Sequence, residues 1–188
     1  MISSEEFFIL LKIQAIKFFV GVPDSLLKNV CAYISDNTDQ KDHVIASNEG
    51  AAIGLAAGHY LGSGSPALVY MQNSGIGNAV NPLLSLADKE VYGIPMLLLI
   101  GWRGEPEVKD EPQHIKQGRI MTHLLDVMEL PRWTLAPDTI DPALVIGQAV
   151  SEMWRSNSPV VLLVRKGTFD NYSLQKNIAT SFQMRREQ

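Results

Sequence analysis

One carboxylate opens the least ordinary stretch of this chain, SNEGAAIGLAAGHYLGSG at 47–64. Glu49 is the only acid there, and glycine recurs behind it at 50, 54, 58 and 62. Each glycine inside a helix costs roughly 0.5–1 kcal/mol relative to alanine. The pattern therefore implies that something packs closely on the segment: another helix, another chain or a ligand. Glu49 itself has two readings. As a first-turn acid it would be favoured by the helix dipole. As a site residue it would serve something large that lies against the small residues and needs the carboxylate.

Other loops carry further candidates. QNSGIGN (72–78) contains Gly75 and Gly77 between a strand-like and a helix-like segment. It fails as a dinucleotide fingerprint. Ala79 and Val80 stand around the place of the third glycine, and only Pro95 to Leu99 occupy the region where the ribose-binding acid belongs. Either this is a tight turn, or the backbone of Asn73, Gly75, Gly77 and Asn78 approaches a ligand closely. Asp24 and Ser25 follow Pro23 at a strand end, either as a turn with Ser25 capping the next helix or as polar groups facing a site. His114 lies in the charged loop RGEPEVKDEPQH (103–114), with Arg103 at its start and Lys116 just beyond it. The four histidines, His43, His59, His114 and His123, show no metal-ligand spacing. There is no Gly-x-Ser-x-Gly elbow and no Walker A motif.

These loops need elements to position them. FFVGV (18–22), HVIAS (43–47), ALVYMQ (67–72), PMLLLIGW (95–102), RWTLA (132–136) and PVVLLVRKG (159–167) read as strands. Several lack polar alternation, as expected of strands covered on both faces. Helical patterns fall between them: 25–37, the Glu49 segment, 78–90, 115–129 and 141–156, the last with Asp141 as cap and Pro142 at its first position. The expectation is an α/β fold with an open, mainly parallel six-stranded sheet and helices on both faces. Ligands in such folds bind at the carboxyl ends of the strands, where all the candidate loops lie. Residues 1–170 form the expected domain, and the polar stretch 171–188 reads as a linker or tail.

The totals narrow the classes. The chain has 188 residues, 46% of them hydrophobic and 19% charged, which is globular rather than disordered. A net charge of −4 with no basic, aromatic-interleaved stretch argues against nucleic acid. No apolar run reaches the ~18 residues of a membrane span, and the N-terminus lacks a basic n-region, so a cytoplasmic protein is expected. The single cysteine, Cys31, reads as core filler.

The segments NEGAAIGLAAGHYLGSG and QNSGIGNAVNPLLSLADKEVYGIPMLLLIGWRG resemble the pyrimidine-binding domain of the thiamine-diphosphate-dependent enzymes. Within that family, FFVGVPDSLLK, GWRGEPEVKDEPQHIKQG and LLVRKGTF resemble phosphonopyruvate decarboxylases, with sulfopyruvate decarboxylase α subunits similar. The resemblance implies thiamine diphosphate as cofactor and a small 2-oxo acid as substrate. It implies that Glu49 hydrogen-bonds N1′ of the cofactor's aminopyrimidine and that Asn73, Gly75, Gly77 and Asn78 line the cofactor. It further implies that Asp24 relays protons, that Ser25 bonds the substrate anion, and that His114 binds the anion or moves a proton. Lys116 and Arg103 would supply positive charge.

The family binds Mg2+ and the diphosphate through a second domain carrying a Gly-Asp-Gly stretch, which this sequence lacks. The chain is thus expected to be half of an active site, inactive without a diphosphate-binding domain or β subunit, and to work as a homo-oligomer. The first expectation is a truncated N-terminal domain of a phosphonopyruvate decarboxylase, forming phosphonoacetaldehyde and CO2. The alternatives are a sulfopyruvate decarboxylase α subunit and a non-catalytic α/β assembly module. No metal ligand is expected in this chain.

Overall fold

The computed structural model describes residues 1–176. The strands are β1 (Phe18–Gly21), β2 (His43–Ile45), β3 (Ala67–Gln72), β4 (Met96–Gly101), β5 (Arg132–Leu135) and β6 (Val160–Val164). All neighbours pair in parallel, in the order β2-β1-β3-β4-β6-β5. The six strands fall where the apolar runs predict them. Every residue of β1, β4 and β6 is buried, as two-sided coverage requires.

The helices are α1 (Ser4–Ile13), α2 (Lys28–Asn37), α3 (Glu49–Ser63), α4 (Ile76–Pro82), α5 (Pro112–Val127) and α6 (Pro142–Ser156). Two apolar clusters sandwich the sheet. Phe7, Leu11, Val30, Ile34, Val150 and Met153 bring α1, α2 and α6 onto one face. Ile53, Ala56, Ile76, Ala79, Met121 and Leu125 bring α3, α4 and α5 onto the other. The chain runs outward from β1 to β2, then crosses back to β3. That reversal opens a crevice at the carboxyl ends of β1 and β3, where folds of this type place their ligands.

Several local expectations change. The helix expected over 25–37 begins only at Lys28, and no side chain caps it at Leu27. Asp24, not Ser25, takes the turn amides: its Oδ2 accepts from Leu26 (3.1 Å) and Leu27 (3.3 Å). The helix expected over 78–90 starts earlier, at Ile76, and ends at Pro82, giving way to a π-helical turn over Leu83–Ala87. Pro82 sits inside this helix, where its missing N–H leaves the Asn78 carbonyl without its α-ladder donor. Asp141 caps α6 as expected, accepting from the Leu144 amide at 2.9 Å, with Pro142 first in the helix. The N-terminal segment, without a helix in the sequence reading, forms α1 behind Ser3, whose hydroxyl accepts from the Glu6 amide.

Phe169 is buried edge-on against Phe7, with ring centroids 5.1 Å apart, and Thr168 is buried beside it. Beyond it, residues 171–176 run along α2. Tyr172 packs on Tyr33 and donates to Asp36, which also accepts from the amides of Gln175 and Lys176. The remainder of the expected linker, 177–188, lies outside the described residues. Among the described residues no helix is long and apolar enough to cross a membrane, and no cluster of three or more His, Cys, Asp or Glu could hold a metal ion. Burial pushes the Cys31 thiol up to about 12, in keeping with core filler.

Candidate active site

Glu49 is the first residue of α3, placed there by its neighbour. Asn48 is the N-cap, with its Oδ1 accepting from the Ala51 amide at 2.8 Å. Glu49 is thereby freed from capping its own helix. Its side chain lies across the turn that follows β3. A Cβ on Gly75 would stand 2.5 Å from Glu49 Cγ and closer still to Cδ and Oε1. The carboxylate occupies space that only glycine leaves. Asn78 Nδ2 donates to Glu49 Oε2 at 2.8 Å, and no described group bonds Oε1. A Cβ on Gly50 would press on the Asn78 carbonyl, so α3 and α4 meet closely at this corner.

The other members of the small-residue pattern differ. A Cβ on Gly54, Gly58 or Gly62 would meet nothing within 4 Å, so the close packing expected of them is not made within this chain. Gly77 is likewise open and exposed. Asn73 is buried and committed to the scaffold. Its Nδ2 donates to the Arg103 carbonyl (2.8 Å) and its Oδ1 accepts from the Arg103 amide (3.2 Å). It clips the β3 and β4 loops together and does not present its amide to the crevice.

Across the crevice, Asp24 is buried at the end of β1, and its Oδ1 has no hydrogen-bond partner. Burial pushes its carboxyl above the ordinary value; the Leu26 and Leu27 amides and Arg103 pull it partway back. A Cβ on Gly101 would stand 3.3 Å from Asp24 Cγ and closer to Oδ2, so the last residue of β4 makes room for this acid.

The β4 loop is organised by a residue outside the sequence-derived set, Asp110. It accepts from Arg103 Nε (2.8 Å) and Nη2 (2.5 Å), and from the amides of Gly104 and Glu111, both at 2.8 Å. It also meets His114 Nδ1 at 3.1 Å. Arg103, foremost, and these donors hold the Asp110 carboxyl well below the usual carboxylate range. An ionised Asp110 makes Nδ1 the donor and fixes the orientation of the buried His114 ring, with Nε2 outside this pair. Arg103 uses its remaining arm on Ser25, donating from Nη1 to Oγ at 2.6 Å. Asp110 holds the Arg103 guanidinium above its ordinary value. Gly104, at φ +68°, and Gly118 let this loop and α5 touch through their backbones.

The structure thus gathers Asp24, Ser25 and Arg103 on the β1 and β4 loops with His114 in the first turn of α5, and it brings Glu49, at the start of α3, onto Gly75 and Asn78 of the turn and helix after β3. Lys116 does not join them. It is exposed, two residues past His114 and so roughly on the opposite side of α5, whose buried face carries His114, Gly118 and Met121.

Comparison with known proteins agrees with this architecture. The family model "Thiamine pyrophosphate enzyme, N-terminal TPP binding domain" matches residues 3–130. A phosphonopyruvate decarboxylase of Streptomyces viridochromogenes is 43% identical over 122 residues, covering 64% of this chain and 29% of that protein. A sulfopyruvate decarboxylase subunit alpha of Methanocaldococcus jannaschii is 38% identical over 168 residues, covering 88% of this chain and 94% of that subunit. Among solved structures, a Rhodococcus jostii thiamine diphosphate-dependent 4-hydroxybenzoylformate decarboxylase superposes with a TM-score of 0.61 at 22% identity, over 93% of this chain and 33% of that one. Benzoylformate decarboxylase of Polynucleobacter necessarius gives 0.59 at 18% identity, over 96% and 34%. The two solved structures support the fold alone. The chain belongs to the thiamine pyrophosphate enzyme family through its N-terminal TPP-binding domain, and it is related to phosphonopyruvate decarboxylases and sulfopyruvate decarboxylase α subunits, which these identities do not tell apart.

Proposed function

We propose that this chain supplies the aminopyrimidine-binding half of a thiamine-diphosphate-dependent decarboxylase acting on a three-carbon 2-oxo acid with a tetrahedral anionic tail. The observation that carries the reading is the Glu49 cradle: a carboxylate seated on Gly75, tethered by Asn78 through Oε2, with Oε1 unbonded beside the strand crevice. That donor set fits a ring nitrogen of an aminopyrimidine, which needs one carboxyl oxygen at a fixed place. The bound cofactor would supply the carbon nucleophile and the electron sink for loss of CO2.

This chain's residues do the rest. Glu49 holds or returns a proton at Oε1. Asp24, buried and with its carboxyl pushed up, keeps a proton available beside the substrate more readily than a solvated acid. Asp110 fixes the His114 ring so that Nε2 takes or gives a proton on the substrate side. Gly77 lets the cofactor approach the backbone. The diphosphate and Mg2+ belong to a second domain or subunit, since no Gly-Asp-Gly stretch is present. Gly54, Gly58 and Gly62, open on this chain, suit a helix packed against another copy.

Sulfopyruvate is the first-placed substrate, because the similarity runs over 94% of a separate sulfopyruvate decarboxylase α subunit. Phosphonopyruvate, the first expectation from sequence, is the second reading. It is favoured by the higher identity of 43%, although the match spans only 29% of that relative. The test is decarboxylation of each acid by the chain assembled with its diphosphate-binding half, with thiamine diphosphate and Mg2+. Turnover of either acid supports the reading and the better substrate assigns it. Bound cofactor without turnover of either acid overturns the substrate class.

A further inference from the structure

A cavity of about 480 Å³ opens between the loops after β1, β4 and β6, on the side of the sheet away from Glu49's helix. It falls within the ~300–1,000 Å³ usual for small-molecule sites. Its polar lining includes Ser25, Lys28, Asn29, Arg103, Asp110 and Lys166. Among the lining side chains three are cationic and one is acidic, and that acid is already spent. Asp110 and Arg103 form a two-bonded pair and cancel each other's charge. Lys28 and Lys166 have no acidic partner among the described residues. Both lysines are exposed at the cavity's rim, so an anion seated there would meet two cations that no acid among the described residues engages.

Resting on the reading above, we propose that this cavity seats the tetrahedral oxyanion of the substrate's tail, with Lys28 and Lys166 as its counter-charges. The family resemblance gave the positive charge for that role to Arg103 and Lys116. Arg103 is neutralised by Asp110, and Lys116 lies on another face. An ammonium is a compact charge with three donors and suits a tetrahedral group without needing a planar fork. Ser25 adds a donor, because its Oγ accepts from Arg103 and its own hydrogen remains to point at the anion. The same serine follows Asp24 directly in the chain, so the cavity and the proposed proton-holding acid adjoin. The shared chemistry covers phosphonate and sulfonate alike.

The test has two arms. In the assembled enzyme, Lys28→Gln and Lys166→Gln should each raise KM for the anionic-tailed acid about tenfold, the loss typical of one charge-assisted hydrogen bond. They should lower its kcat/KM relative to pyruvate, which has no tail, by a similar factor. Lys89→Gln, on an exposed turn, serves as control. In the second arm, methylphosphonate and methanesulfonate are titrated into the full chain and followed by backbone amide shifts. Shifts centred on Ser25, Lys28 and Lys166 that vanish in the double variant are expected, and the tighter probe names the tail. Unchanged KM and unchanged specificity in an active enzyme, or shifts centred elsewhere, would overturn the proposal. An enzyme that decarboxylates neither acid would sink the functional reading, while the titration would still decide the cavity.

Discussion

Gly75→Ala isolates the Glu49 cradle from the rest of the fold. Gly75 has φ −69° and ψ −16°, a conformation alanine adopts freely, so the substitution brings no backbone strain. It even restricts the unfolded chain, worth about 0.4–1 kcal/mol in favour of folding. The whole penalty falls on one side chain. The new methyl would stand 2.5 Å from Glu49 Cγ, where ordinary contact begins at 3.4 Å. The carboxylate must therefore retreat by roughly 1 Å and give up its 2.8 Å bond from Asn78. Losing that bond and forcing a rotamer shift costs about 1–2.5 kcal/mol. The net effect on stability is then about 0–2 kcal/mol, or a few degrees in Tm for a chain of this size. A displacement of this order in a site that must hold its partner within hydrogen-bond reach is worth ~10²-fold in rate. The assay is kcat of the assembled enzyme beside Tm, with Gly147→Ala as control, since a methyl there meets nothing within 4 Å. A drop of about a hundredfold with Tm nearly kept is expected. Turnover within about threefold of wild type would refute the idea that Gly75 makes room for a working Glu49.

Asp110→Ala strips the acceptors from Arg103, Gly104, Glu111 and His114 at once and should destabilise the fold by about 2–4 kcal/mol, read by chemical denaturation. The Asp110 carboxyl titrates below its ordinary 3.8 when folded, so its stabilisation is complete above that value and is lost as pH falls further; the gap between wild type and variant should narrow only below about pH 4. Asp24→Asn should show the opposite sign. Asp24's folded value is raised, so its ionisation penalises folding at neutral pH and the penalty disappears below 3.8. The variant should therefore melt higher than wild type at pH 7, lose that advantage on acidification, and turn over substrate more slowly in the assembled enzyme; a lower Tm at pH 7 would contradict the burial argument.

The strands were legible because parallel strands covered on both faces read as unbroken apolar runs, as in MLLLIG and VVLLV. The glycines behind Glu49 were legible as a costly pattern, but only Gly50 makes the close contact expected of them, while Gly54, Gly58 and Gly62 meet nothing within this chain. The partners that tune these residues were not. Asp110 is one charge among several in a loop, and nothing local marks it as the common acceptor of five donors. Gly75 and Gly101 look like turn and strand-end glycines until the side chains of Glu49 and Asp24 are seen in the space they leave. Lys116 and His114 are near neighbours in sequence, but two residues along a helix separate them by about 200°. That the Asn73 side chain ties its loop to Arg103 was not legible, because those bonds run to a residue thirty positions away.

The most direct test of the Glu49 cradle is proton exchange at C2 of bound thiamine diphosphate, followed by NMR in deuterated buffer for the assembled enzyme and its Glu49→Gln variant. Exchange faster in the wild-type enzyme than in free cofactor, and slower by ~10²–10³-fold in the variant, is the predicted result. Exchange that is the same in both proteins, with cofactor bound equally, would contradict the account.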